Sequence, residues 1–320
     1  ENLCTVLDGI RHLAEKSGIR VASARGCGIR NMDRSGFPEA LKLAEESDVI
    51  IYVPGGCSTR FGNVQTDPVT GAALTPLVSD SDTTEKESGE GTDRATLNLS
   101  GVQMELFRLL ASTGKPVVTI PIMGRPLLLE EVLEKSSALL CAWYPGMLGG
   151  EAIAEALFGL VSPGGKLPVS LPRSVGQLPV HCNAVNLARP NYIDSPGTPL
   201  LPFGFGLSYT SFAYRDLKIS GRKVSLLCRN TGSRESDEVV QFYLQARSGF
   251  VIRPERELFA FRRIHLAPGE EEQIEVELTD EALGVYDRNG EFHLDAGPFR
   301  IFAGGDPHAL LQLDFEFEKN

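Results

Sequence analysis

The residues best suited to chemistry lie in one polar stretch. Ser88-Gly89-Glu90-Gly91 sets a carboxylate between two glycines, a backbone that can approach a ligand closely. Asp93 and Arg94 follow, an adjacent pair of opposite charge suited to bracing the base of the loop. Upstream, Arg60 offers charged donors to hydroxyl groups, and Phe61 an apolar face to a ring. A single placed carboxylate fits a general acid, whereas hydrolysis of a glycosidic bond needs two carboxyl groups flanking that bond. Asp82, Glu85 and Glu87 are the nearby acids that a second role would draw on.

Other reaction classes lack their signatures. There is no G-x-S-x-G elbow, no H-E-x-x-H and no Walker loop, and the G-x-G pairs at Gly26 and Gly204 have no third glycine. The histidines (12, 181, 265, 293, 308) are scattered, so no His-based triad, no metal centre and no cofactor is expected. The cysteines (4, 27, 57, 141, 182, 228) show no C-x-x-C spacing and read as reduced, buried thiols of a cytoplasmic protein. No signal peptide is visible in residues 1–20, which lack a basic segment followed by an apolar core.

The elements that must hold the polar stretch alternate helix and strand. Residues 8–17, 37–47, 100–112, 127–135 and 150–158 carry helical apolar spacing; residues 19–24, 48–55, 116–121 and 138–143 read as strands. The run 48–55 (DVIIYVPG) is continuously apolar and ends in Gly, as a strand buried on both faces does. This rhythm predicts an α/β domain with a mainly parallel sheet, and the polar stretch leaves the C-terminal end of a strand, where such sheets place ligands. Residues 162–202 are rich in Pro and Gly. Beyond them the chain reads as strands at 224–230, 239–246, 257–266, 273–278, 291–294 and 299–303, separated by turns such as Asn230-Thr-Gly and Ala267-Pro-Gly. That is the pattern of an all-β, immunoglobulin-like sandwich. The expected division is 1–208 and 209–320.

Composition narrows the partners. The chain has 320 residues, and 31 Lys+Arg against 42 Asp+Glu gives a net charge of −11, which argues against a nucleic-acid partner. With 42% hydrophobic and 23% charged residues it is an ordinary globular chain rather than a disordered one. No apolar run approaches the ~20 residues that span a bilayer, so no membrane partner is expected.

The motifs match a known family. Ser88-Gly89-Glu90-Gly91-Thr92-Asp93-Arg94, followed by Leu97, Leu99, Gly101, Gln103 and Leu106, resembles the S-G-E-G-x-D-R-x-x-L-x-L-x-G-x-Q-x-x-L segment of glycoside hydrolase family 3, the β-glucosidases and β-xylosidases. Trp143-Tyr144-Pro145-Gly146 with Gly149-Gly150, and Gly164-Gly165-Lys166-Leu167-Pro168-Val169-Ser170, are similar to two further family stretches, as is Pro202-Phe203-Gly204-Phe205-Gly206-Leu207-Ser208-Tyr209. Asn230-Thr231-Gly232 and Glu238-Val239-Val240-Gln241 resemble the family's fibronectin type III-like module. The resemblance covers the chain in order. It implies a family 3 C-terminal-type α/β sandwich over 1–208, a fibronectin type III-like domain over 209–320, and Glu90 as the general acid/base of a retaining β-glycosidase acting on β-linked oligosaccharides or glycosides. The family's nucleophile comes from a (β/α)8 barrel not contained in this chain, which is therefore a partner in the same or a separate chain. The α/β domain's usual first strand is also missing, and Met147-Leu148 replaces a more usual polar pair. A fragment of a longer enzyme, a non-catalytic carbohydrate-binding module and a structural remnant all stand as readings. The bare sheet edge leaves a homo-oligomer open.

Overall fold

The computed structural model describes residues 3–58, 65–66, 69–70, 73–74, 85, 87, 93–185, 191–249 and 251–318. The chain forms two compact units, Glu1–Phe158 with Arg173–Gly176, and Gly159–Pro172 with Gln177–Asn320.

The first unit contains α1 (Val6–Ser17), α2 (Phe37–Glu45), β1 (Ile50–Tyr52), the short hairpin β2 (Gln65–Thr66) and β3 (Ala73–Leu74), α3 (Gln103–Ser112), β4 (Val117–Thr119), α4 (Glu130–Lys135), β5 (Ala138–Leu139) and α5 (Gly149–Leu157). Its sheet runs β1-β4-β5, parallel throughout, with Ile50 opposite Val117 and Val118 opposite Ala138. The run through β4 buries as expected, with Val117, Ile120 and Met123 almost wholly enclosed. The run 48–55, expected to be buried on both faces, is covered on one: Ile50 and Tyr52 are buried while Val49 and Val53 are exposed. α3 contributes Leu106, Phe107 and Leu110, with the Phe107 ring 5.8 Å from that of Tyr52. α1 starts on a capping box, in which Thr5 Oγ1 accepts from the Asp8 amide (3.2 Å) and Asp8 Oδ2 accepts from the Thr5 amide (3.0 Å).

One strand expected from the sequence does not form. Residues 19–24 are irregular, and Ile19 is 54% exposed. Only Ile19 and Val21 are β-branched there, interleaved with polar and small residues, and no described strand pairs with them; without a face to bury, propensity alone does not make a strand. The 127–135 helix begins three residues late, because Leu127 and Leu129 enter the core before the chain turns helical at Glu130.

The second unit is built on β6 (Phe212–Ser220), β7 (Lys223–Asn230), β8 (Ser236–Ala246), β9 (Glu257–Leu266), β10 (Glu271–Glu277), α6 (Asp280–Leu283), β11 (Gly284–Tyr286), β12 (Phe292–Leu294), β13 (Gly297–Gly304) and β14 (Leu311–Phe317). A three-stranded sheet β10-β7-β6 faces a four-stranded sheet β14-β13-β8-β9, all pairs antiparallel, with β11-β12 as a separate hairpin. Alternate residues point inward, so Val224, Leu226 and Cys228 of β7 meet Phe242, Leu244, Phe299 and Ile301 in one core. The turn after β7 is held by Asn230, whose buried amide donates to the carbonyls of Arg234 (2.7 Å) and Leu266 (2.9 Å) while its oxygen accepts from Thr210 Oγ1. The Pro/Gly-rich segment packs on this sandwich: Lys166 Nζ lies 3.0 Å from Glu238 Oε1 and donates to the Gly206 carbonyl, and Gln241 Nε2 donates to the Gly204 carbonyl. No described helix is long and apolar enough to cross a membrane.

Candidate active site

The sheet's parallel hydrogen bonding runs past the ends of β1, β4 and β5. Gly56 donates to the Ile122 carbonyl (2.8 Å), Ala142 to Pro121 (3.2 Å) and Met123 to Trp143 (3.2 Å), so the C-terminal ends of three strands stay in register. Trp143 ends this run half-buried, with φ +54°, a left-handed conformation that a bulky side chain adopts only at a cost.

Gln103, the first residue of α3, locks that edge to its surroundings. Its Oε1 accepts from the Gly55 amide (2.7 Å), its Nε2 donates to the carbonyls of Gly55 (2.9 Å) and Ile29 (3.0 Å), and its own carbonyl accepts from Tyr52 Oη (2.7 Å). The side chain is buried, so these bonds substitute for water that cannot reach it.

Two acids that the sequence offers as a second carboxylate are engaged structurally. Glu85 Oε2 accepts from the amides of Ile29 (2.5 Å) and Arg30 (2.8 Å), and its Oε1 accepts from Asn31 Nδ2 (3.1 Å). Glu87 is 3% exposed; its amide donates to the Cys57 carbonyl (2.9 Å), its Oε2 accepts from Arg94 Nη1, and its Oε1 has no hydrogen-bond partner. Arg94 reaches past its neighbour Asp93 to make this pair, and its Nη2 donates to the Asn98 carbonyl. A Cβ at Gly56 would fall 2.0 Å from Glu87 Oε1, so only glycine there leaves room for the buried carboxylate. A cleft of about 250 Å³ opens beside the pair, lined by Arg30, Glu87, Asp93, Arg94, Thr96 and Ser100. Asp93 is exposed on it. Glu90, Arg60, Phe61 and Asp82 lie outside the described residues.

The thiols near this edge are poor nucleophiles. Burial, then the Glu85 carboxylate, pushes the Cys27 thiol up, and burial pushes Cys141 up to about 11. All six cysteines are free, yet only Cys228 is fully buried and Cys182 is exposed, so the expectation of buried thiols holds for part of the set. In the second unit Asp287, Glu291 and His293 bring their ligating atoms within 4.8 Å of one another. Asp287 Oδ1 there accepts from the amides of Asn289 and Glu291, the ordinary bonding of a tight turn.

Glu87 and Gln103 are what sequence reading underrates. Gln103 sits inside the motif segment and Glu87 directly before it, but their importance lies in burial, which composition does not reveal.

The fold has close counterparts. Residues 1–209 match the glycosyl hydrolase family 3 C-terminal domain, and residues 238–306 match a fibronectin type III-like domain. A β-xylosidase of Formosa agariphila is 36% identical over 321 residues, covering 95% of this chain and 40% of that protein. A periplasmic β-glucosidase of Salmonella typhimurium is 34% identical, covering 98% of this chain and 42% of that protein. Among solved structures, a β-glucosidase from Listeria innocua in complex with laminaribiose superposes with a TM-score of 0.83 at 28% identity, over 99% of this chain and 42% of that one. The chain thus spans about two fifths of the length of the relatives it matches. With both domains matched in order over nearly its whole length, the chain belongs to glycosyl hydrolase family 3, as the family's C-terminal α/β domain followed by its fibronectin type III-like domain.

Proposed function

We propose that this chain supplies the general acid/base of a retaining β-glycosidase, a β-glucosidase or β-xylosidase, whose nucleophile comes from a (β/α)8 barrel in the same or a separate chain. The observation that carries the reading is the intact segment Ser88 to Arg94, with Glu90 between two glycines, in a chain whose relatives are named β-glucosidases and β-xylosidases. In this mechanism the barrel's carboxylate attacks the anomeric carbon as Glu90 gives its proton to the departing glycosidic oxygen, leaving a covalent glycosyl-enzyme. Glu90, now a carboxylate, takes a proton from the water that releases the sugar, so configuration is retained. Arg60 and Phe61 are proposed to contact substrate, and Asp93 and Arg94 to brace the loop. Neither step draws on a cofactor or metal.

The test uses the enzyme made of this chain and its barrel. Glu90→Ala is expected to slow glycosides with poor leaving groups by roughly 100-fold or more and activated aryl glycosides much less in the first step. Azide is expected to restore turnover and yield the β-glycosyl azide, because a small anion needs no general base. Equal losses on all leaving groups without azide rescue, or an α-azide product, would overturn the assignment.

A further inference from the structure

We infer that Glu87, through its buried pair with Arg94, is the positioning residue for the acid/base; this rests on the reading of Glu90 above. Glu87 and Arg94 stand three residues before and four residues after Glu90, so their pairing ties the chain on both sides of it. Both partners are largely shielded from water: the side chains are 3% and 12% exposed. A surface ion pair is weak because water competes for both charges, whereas a buried one is broken only at the expense of leaving a charge unsatisfied.

The pair is anchored rather than floating. On one side the Glu87 amide donates to the Cys57 carbonyl, next to Gly56, which itself donates to Ile122 at the sheet's edge. On the other, Arg94 donates a second bond to the Asn98 carbonyl, just before Ser100 and Gln103. Both ends of the segment are thereby referenced to the strand ends and to the start of α3. Glycine at position 56 exists in contact with the Glu87 side chain, where any Cβ would collide.

The lone free Oε1 fits this role. Glu87 borders the cleft, but its Oε1 packs against Gly56 and its Oε2 is spent on Arg94. Glu87 therefore acts on Glu90 and not on the sugar. Acid catalysis demands hydrogen-bond reach to the leaving oxygen, and a shift of about 1 Å in such a group costs roughly 100-fold.

The decisive measurement is a double-mutant cycle in the enzyme made of this chain and its barrel, using Glu87→Ala, Glu90→Ala and the double variant. Glu87→Ala is expected to lower kcat on poor leaving groups by roughly 10- to 100-fold with KM little changed, to spare activated aryl glycosides, and to be partly rescued by azide. In the Glu90→Ala background the same change is expected to have no further effect. Glu87→Gln, which keeps an oxygen for Arg94, is expected to recover most of the rate, and Arg94→Lys, which cannot hold both Glu87 and Asn98, to resemble Glu87→Ala. Additive losses in the cycle, or a wild-type leaving-group profile for Glu87→Ala and Arg94→Lys, would overturn the proposal. Should Glu90→Ala itself prove silent, the acid/base reading fails instead. The clamp is then judged on the 320-residue chain alone, where hydrogen exchange at the residue 87 amide and at residues 94–98 must rise at least tenfold in Glu87→Ala if it exists. If Glu87→Ala does not fold, the Gln and Lys variants carry both comparisons.

Discussion

At the scale of single residues, a glycine at position 56 matters for what it leaves empty. Its backbone lies against the Glu87 carboxylate, whose Cγ, Cδ and Oε1 all fall within 2.1 Å of where a Cβ would stand. Glu87 cannot retreat, because its oxygen is held by Arg94 and its amide by Cys57. Gly56→Ala is therefore expected to destabilise the α/β unit by about 2 kcal/mol, the usual size of an overpacking penalty. It should also reproduce the kinetic signature of Glu87→Ala. Denaturant unfolding followed at Trp143, the chain's one tryptophan, reads the first part; an unchanged midpoint would show that the site has room the geometry denies.

At the scale of elements, α3 and α4 are joined by charge. Glu131 of α4 accepts from Arg108 of α3 (Nη2 to Oε2, 2.6 Å) and from Lys135 one turn along its own helix (2.7 Å). The Arg108 bond first, and then Lys135, hold its pKa at about 2 rather than 4.5. A carboxylate whose pKa is lower folded than unfolded contributes stability that is full above pH 4.5 and is lost as pH falls toward about 2. Glu131→Gln should thus be less stable than the parent at pH 6, and the difference should shrink steadily below pH 4.5. Urea midpoints measured at both ends of that range test it, and a difference independent of pH would refute the linkage. The group is partly open to solvent, so the effect is a slope in the acid limb rather than collapse.

For the whole molecule, two domains account for about two fifths of the length of its relatives. A retaining glycosidase needs two carboxyl groups in different roles, and the proposed nucleophile is outside this chain. The 320-residue chain by itself is expected to release no nitrophenol from aryl β-glucosides above background. Measurable turnover that disappears in Glu90→Gln would place the nucleophile among these residues.

The order of the motifs and the periodicity of the apolar residues were enough to determine the two-domain architecture. Continuous apolar runs such as 116–121 become buried parallel strands, and alternating runs such as 224–230 become half-buried sandwich strands, because these patterns reflect which faces must leave water. The Glu90 segment was legible for a different reason, since its residue types and spacing are themselves the signature. Tertiary structure decided partnership. Arg94 stands beside Asp93 in the chain, yet pairs with Glu87, where both charges are shielded from water. Residues 19–24 have a strand's composition in part but pair with no described strand, and the Pro/Gly-rich 159–172 segment packs within the sandwich unit through Lys166 and Glu238. Gln103 reads as one more helix residue until its amide is seen closing the sheet's edge. Local periodicity encodes what a residue buries, but which distant group satisfies a buried charge or amide depends on contacts that only the folded chain creates.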